Sequence, residues 1–239
     1  STPFESFWCC VGSGMENHTQ YGEAIYFHGK DELYVNLFIP SALAWRERSF
    51  ALEQRTGYPR KDTTQLVVTQ GSERPLTIRL RTPAWASKPL TIAVNGKLIE
   101  NPAAPGVYAS ITRTWKKGDR VDVTIPMALR TEELRGAPDT VAFLYGPLVL
   151  AGDLGPAPRS DTVPYAKDQL VNLKAPYSPV PVLQTTPDKA LYSIRRVPGD
   201  ALVFRTQGIG HPVDVTLRPF QELHYERYNV YWKLAPRPQ

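Results

Sequence analysis

The spacing of apolar positions along the chain changes character once, near Gly29. Before that point Ser13 to Glu16 reads Ser-Gly-Met-Glu, the Ser-x-x-Glu pattern of a capping box. Proline-free sequence from Asn17 to Phe27 follows, with apolar positions at Met15, Tyr21, Ala24 and Ile25. The pattern predicts one helix, closed at His28-Gly29, where glycine can take the left-handed conformation. Beyond it the period is two. Leu33, Val35, Leu37 and Ile39 alternate with Tyr34, Asn36 and Phe38, and Leu76 to Leu80 repeats the alternation. Leu90 to Val94 runs into Asn95-Gly96, the preferred pair for a two-residue hairpin turn, and Lys97 to Glu100 returns. Val107 to Ile111, a Lys117-Gly118-Asp119 turn and Val121 to Pro126 complete a series of short strands at sandwich-like spacing.

A second β region opens with Val141 to Leu150, interrupted by Gly146-Pro147. Seven prolines then fall between Ala151 and Asp188, a density that central strands do not tolerate and that predicts an excursion over the surface. Alternation resumes at Leu191 to Ile194, Ala201 to Arg205, Val213 to Leu217 and Tyr228 to Leu234. The expected organisation is a helical segment over 1–29, a first antiparallel β-sandwich over 30–130 and a second over 131–239, with the proline-rich excursion at 151–188. No internal repeat or low-complexity tract interrupts this plan.

Composition narrows the functional classes. With 239 residues, 42% of them apolar, the chain can bury one large core or two smaller ones, which excludes a disordered protein. No run of eighteen apolar residues occurs, so no membrane span is expected. Lys and Arg outnumber Asp and Glu by 28 to 23, but acids interrupt the basic positions throughout, unlike the clustered basic stripe of a nucleic-acid binder. The chain opens on Ser1 rather than Met, in what reads as a packed segment, and is expected to be a piece of something longer.

The two cysteines, Cys9 and Cys10, are adjacent. Neighbouring Cα atoms lie about 3.8 Å apart, short of the usual disulfide range, so a mutual bridge would be strained. Two readings stand. Both can be small buried hydrophobes, as free cysteines often are. Alternatively, thiols standing before a glycine-containing entry into a helix feel the positive end of its dipole, which favours the thiolate that attacks electrophiles and binds metal. Zinc wants four tetrahedral ligands in a structural site and three protein ligands in a catalytic one. Only Glu16, His18 and Glu23 stand near the thiols in sequence, so a zinc site here needs donors from elsewhere. His18 fits a hydrogen-bonded helix residue better than a ligand, because one histidine is no cluster, and Glu5 fits an exposed loop acid better than an active-site carboxylate. Of the five tryptophans, Trp8 abuts the cysteines, while Trp45, Trp85, Trp115 and Trp232 are expected in sandwich cores.

The segment Glu-Ser-Phe-Trp-Cys-Cys-Val-Gly-Ser-Gly-Met-Glu-Asn-His-Thr-Gln-Tyr-Gly-Glu-Ala-Ile-Tyr-Phe over 5–27 resembles the one that closes the helical barrel of bacterial β-L-arabinofuranosidases of glycoside hydrolase families 127 and 146. Its Gly-x-Gly-Met-Glu-Asn-His form is closer to family 146. Arg81 to Ala86, Val94-Asn95-Gly96, Trp115 to Asp119, Tyr145 to Gly152 and Tyr228 to Lys233 extend the resemblance over nearly the whole chain. It implies a mainly β chain: two antiparallel β-sandwich domains preceded by the last helical element of an (α/α)6 barrel whose remainder is absent. It also implies a zinc-dependent retaining glycosidase (Zn2+ as cofactor), with Cys9 as nucleophile and metal ligand and Cys10 as metal ligand. The remaining ligands, a glutamate and a third cysteine, and the acid/base glutamate lie upstream in those families, so this chain alone is expected to be inactive.

The partners that follow are an arabinofuranoside-containing glycan and an upstream barrel segment or companion chain that completes the site. Surfaces left open without the barrel would also accommodate a homodimer; no nucleic acid or membrane partner is expected. A rival of another class is a non-catalytic β-sandwich module that binds glycan or packs against a barrel. A thiol redox protein fits less well, because adjacent cysteines lack C-x-x-C spacing.

Overall fold

In the computed structural model, described over residues 9–100, 103–156, 179–199, 202–224 and 226–236, the chain is mainly β and divides into two compact units, one of Cys10–Ala128 and one of Ser1–Cys9 with Leu129–Gln239. The first unit opens with a helix, α1 (Cys9–Gln20), and a 3-10 turn over Tyr21–Ala24. Ten strands follow: β1 (Tyr26–His28), β2 (Glu32–Val35), β3 (Ser41–Trp45), β4 (Phe50–Thr56), β5 (Thr63–Gln70), β6 (Leu76–Arg81), β7 (Thr91–Val94), β8 (Lys97–Leu98), β9 (Tyr108–Arg113) and β10 (Arg120–Thr124). They form a four-stranded sheet, β1-β2-β6-β9, and a six-stranded sheet, β3-β4-β5-β10-β7-β8. All pairings are antiparallel except β2 with β6, where Leu33 stands opposite Ile78.

One face of each sheet supplies the core. Leu33, Val35, Leu76, Ile78 and Leu80 meet Phe50, Leu52, Leu66, Val68, Ile92, Val121 and Val123 in a single buried cluster. Period-two alternation produces this directly: in β5 the buried residues are Thr64, Leu66 and Val68, and their neighbours face outward. Trp115 is buried in the cluster, where its indole N–H donates to the carbonyl of Leu76 at 2.9 Å. At Asn95-Gly96 both residues have positive φ, 52° and 82°, as a two-residue hairpin turn requires.

The expected helix is displaced. Over the described residues it spans Cys9–Gln20, so Ser13 lies inside it rather than at its cap. Tyr26, Phe27 and His28 are not helical; they pair with Val35, Tyr34 and Leu33 of β2. Aromatic residues beside a ready partner strand gain more from cross-strand pairing than from a further helical turn. The expected strand from Leu33 to Ile39 stops at Val35. Strands β3, β4 and β5 are additional to those that the sequence pattern predicts. In β4 the inward positions are Phe50, Leu52 and Gln54, and a glutamine breaks the apolar alternation. Gln54 is nonetheless buried, its Nε2 donating to the carbonyls of Leu37 at 3.0 Å and Ile39 at 2.7 Å.

The second unit contains β11 (Leu129–Leu134), β12 (Ala137–Tyr145), β13 (Leu148–Pro156), β14 (Val182–Leu183), a short helix α2 (Pro187–Ala190), β15 (Ile194–Arg196), β16 (Phe204–Thr206), β17 (Gly210–His211), β18 (Thr216–Pro219), β19 (Glu226–Asn229) and β20 (Tyr231–Lys233). Eight strands make one antiparallel sheet, in the order β11-β12-β13-β18-β16-β15, with β19 on β13 and β20 on β12; β14 and β17 form a separate ribbon. Trp232 is fully buried, and its ring lies so close over Gly152 that a Cβ there would come within 2.3 Å of it. The proline-rich excursion is shorter at its start than expected, because β13 continues through Pro156. Residues 157–178 lie outside the described residues.

Candidate functional site

The residues expected to carry chemistry sit at the start of α1. Cys9 and Cys10 are its first two residues; their side chains, like Glu5 and Trp8, lie outside the described residues. The backbone fixes one relation. A helix rises about 1.5 Å per residue, so Glu16, seven residues on, is about 10 Å along the axis from Cys9, and His18 is farther still. Zinc bonds are about 2.0–2.3 Å long, so any ion shared along this helix would have to be reached by extended side chains. Two adjacent thiols suit zinc as soft ligands, yet they supply only two donors. Among the described residues, no three His, Cys, Asp or Glu side chains gather in a metal-binding group.

The described part of α1 is turned to solvent. Ser13 to Glu23 are all exposed, Met15 at 65%. His18 is held by its own helix: Nδ1 lies 2.8 Å from the carbonyl oxygen of Gly14. That oxygen only accepts, so Nδ1 carries the proton and Nε2 is the free ring nitrogen. Asn17 donates from Nδ2 to the Tyr21 hydroxyl at 3.1 Å, and the Thr19 hydroxyl donates to the carbonyl of Glu16 at 2.7 Å.

Two carboxylates with dense donor sets lie elsewhere, and both fasten turns. Asp119 accepts from Asn95 Nδ2 at 2.8 Å and from the amide of Lys116 at 2.9 Å, with Arg113 at 3.5 Å. Burial works against its ionisation, but these donors prevail and hold its carboxyl below the usual range. Asp214 takes the hydroxyl of Thr206 at 2.9 Å and the amides of Gly208, Ile209 and Gly210 at 2.7, 3.2 and 2.9 Å. Again the donors outweigh desolvation and lower its pKa. Carboxylates so engaged have little acceptor capacity left for a substrate. Trp45, Trp115 and Trp232 are buried, and Trp85 packs half-buried against the first core, as expected of core tryptophans.

Sequence reasoning passed over a groove on the outer face of the six-stranded sheet, of about 390 Å³, lined by Arg55, Lys61, Gln65 and Asp122 among others. Its outward Thr, Gln and Asp positions read as ordinary solvent-facing residues, and only the observed register shows that they line up. Among the described residues no helix is long and apolar enough to cross a membrane.

Comparison with known proteins finds a match within each unit. Residues 32–127 match the family profile described as the β-L-arabinofuranosidase GH127 middle domain, and residues 130–234 match a family described as a domain of unknown function. No curated protein matches the chain. Among solved structures, one titled a glycoside hydrolase is 20% identical with a TM-score of 0.72, the match covering 98% of this chain and 41% of that one. A GH127 β-L-arabinofuranosidase from Geobacillus stearothermophilus T6 is 20% identical with a TM-score of 0.68, over 95% of this chain and 37% of that one. A GH127 β-arabinofuranosidase is 22% identical with a TM-score of 0.60, over 88% and 36%. The chain spans about two fifths of the length of these structures and shares their fold, and over residues 32–127 it matches the middle domain of the GH127 β-L-arabinofuranosidases.

Proposed function

We propose that this chain is the C-terminal part of a zinc-dependent retaining glycoside hydrolase that releases terminal β-L-arabinofuranosyl residues from plant-derived glycans, with the Cys9 thiolate as nucleophile. The observation that supports it best is the GH127 middle-domain match at residues 32–127, closely preceded by a helix whose first residues are Cys9 and Cys10. Family 146, which the Gly-x-Gly-Met-Glu-Asn-His motif favours, shares this reading.

When bound, zinc would hold the thiolate ionised and oriented near neutral pH. Cys9 sulfur attacks the anomeric carbon as the glycosidic C–O bond breaks, and the leaving oxygen takes a proton from a carboxyl group supplied from outside this chain. That carboxylate then removes a proton from water, whose oxygen displaces the sulfur and returns Cys9 as thiolate. Two displacements at one carbon retain its configuration. Cys10 serves as a second sulfur donor that fixes the position of the first. An upstream barrel segment or a companion chain contributes the remaining donors.

The test is kinetic. In the full-length enzyme, Cys9→Ser should lower kcat on an aryl β-L-arabinofuranoside by at least about 1,000-fold, as loss of a nucleophile does elsewhere. Activity within a few fold of the parent would remove Cys9 from the reaction.

A further inference from the structure

The groove on the six-stranded sheet is an ordered array. Arg55 of β4 stands opposite Gln65 of β5, Gln65 opposite Asp122 of β10, and Asp122 opposite Ala93 of β7, one straight row across four strands. Two residues farther along, Thr63, Thr124 and Thr91 form a second row on the same face. Adjacent strands lie about 4.8 Å apart, so each row crosses a span of the order of 10–14 Å. That length suits a short oligomer better than a single small molecule.

The groove ends at the loop following β4. Lys61 donates its amide to the carbonyl of Gly57 at 3.0 Å, and its side chain lies over Gly57, where an added Cβ would come within 3.1 Å of Lys61 Cδ. The absence of a side chain at 57 therefore leaves room for the lysine at the mouth of the groove.

The charges on this face nearly cancel. Arg55 pairs with Glu53 at 2.7 Å, and Asp122 is engaged on one oxygen by Arg120 at 2.9 Å and on the other by Gln65 at 2.7 Å. Lys61 has no carboxylate partner among the described residues, so the groove carries one uncompensated positive charge. The three threonine hydroxyls and the Gln65 amide carbonyl add groups that exchange hydrogen bonds with a polyhydroxylated ligand. Among the described residues no aromatic ring lines the groove, so recognition here is polar rather than by stacking.

We infer that this groove binds an acidic oligosaccharide, one carrying uronic acid carboxylates, with Lys61 taking a carboxylate and the Thr63-Thr124-Thr91 row and Gln65 taking sugar hydroxyls. The site lies outside the proposed catalytic helix and does not depend on the chemistry at Cys9. It would hold a charged glycan against the protein whatever bond the enzyme cleaves.

The test is calorimetric titration of the chain with trigalacturonate, a neutral arabinotriose and inorganic phosphate. Trigalacturonate should bind, with affinity that falls as salt rises and drops about tenfold or more in Lys61→Ala, the size expected for one charge-assisted hydrogen bond. Thr124→Val, which keeps the shape and the charge, should weaken it by a smaller factor. Absence of trigalacturonate binding, or an unchanged affinity in a folded Lys61→Ala variant, would overturn the proposal. Equal binding of the neutral trisaccharide would overturn the ligand class, and equally strong displacement by phosphate would reduce the site to a simple anion contact. Activity of the full-length enzyme on an aryl arabinofuranoside is a separate readout, so this proposal and the hydrolase reading can fail independently.

Discussion

Helix α1 and the sandwich that follows it are built on opposite principles. The sandwich closes on itself: two sheets bury a shared cluster, and its turns are fastened by carboxylates such as Asp119. The helix is twelve residues long, contains Gly12 and Gly14, and from Ser13 to Gln20 exposes every residue. A helix of that length is marginal in water even with good helix formers, and each glycine costs about 1 kcal/mol relative to alanine. The scaffold thus carries its own stability, while the element bearing the thiols depends on packing that the described residues do not provide. For the proposed hydrolase the expectation is that α1 gains protection from the part of the site that this chain does not supply.

That contrast can be broken first in the core. Trp115→Ala removes a fully buried ring and its hydrogen bond to Leu76, and should destabilise the first unit by about 3–5 kcal/mol in denaturant unfolding. A loss below about 1 kcal/mol would mean that the sandwich is not self-supporting. A smaller effect is expected at the turns. Asp119→Ala leaves Asn95 and the Lys116 amide without their acceptor and should cost about 1–3 kcal/mol at neutral pH. The sign with pH follows from the lowered pKa of Asp119. Its contribution is complete above the unfolded value of about 4 and drains as pH falls through the depressed folded value, so parent and variant should converge in stability at low pH. A constant gap across that range would place the effect in packing rather than in charge.

Legibility in the sequence follows the same division. Strands with apolar alternation, such as Leu76–Arg81 and Thr91–Val94, and the Asn95-Gly96 turn were readable because pattern, turn chemistry and burial agree there. Strand β4 was not, because Gln54 occupies an inward position, where its Nε2 donates to two carbonyls before β3. The boundary between α1 and β1 was misplaced because only the partner strand β2 reveals that Tyr26 and Phe27 are extended. At the candidate site the adjacent cysteines were legible as a motif, and they are helical where a preceding loop was expected. The groove was invisible, since no local pattern announces that Arg55, Gln65 and Asp122 will share one row.

The dependence of α1 on its surroundings is tested most directly by amide hydrogen exchange, comparing this chain with the full-length enzyme. Amides of Ser13 to Gln20 should exchange with little protection in this chain, while those of Leu66 and Val123 are strongly protected, and the helix should gain protection of several orders of magnitude in the full-length protein. Equal and strong protection of α1 in both would contradict the account, because the thiol-bearing helix would then be complete without any further part of the site.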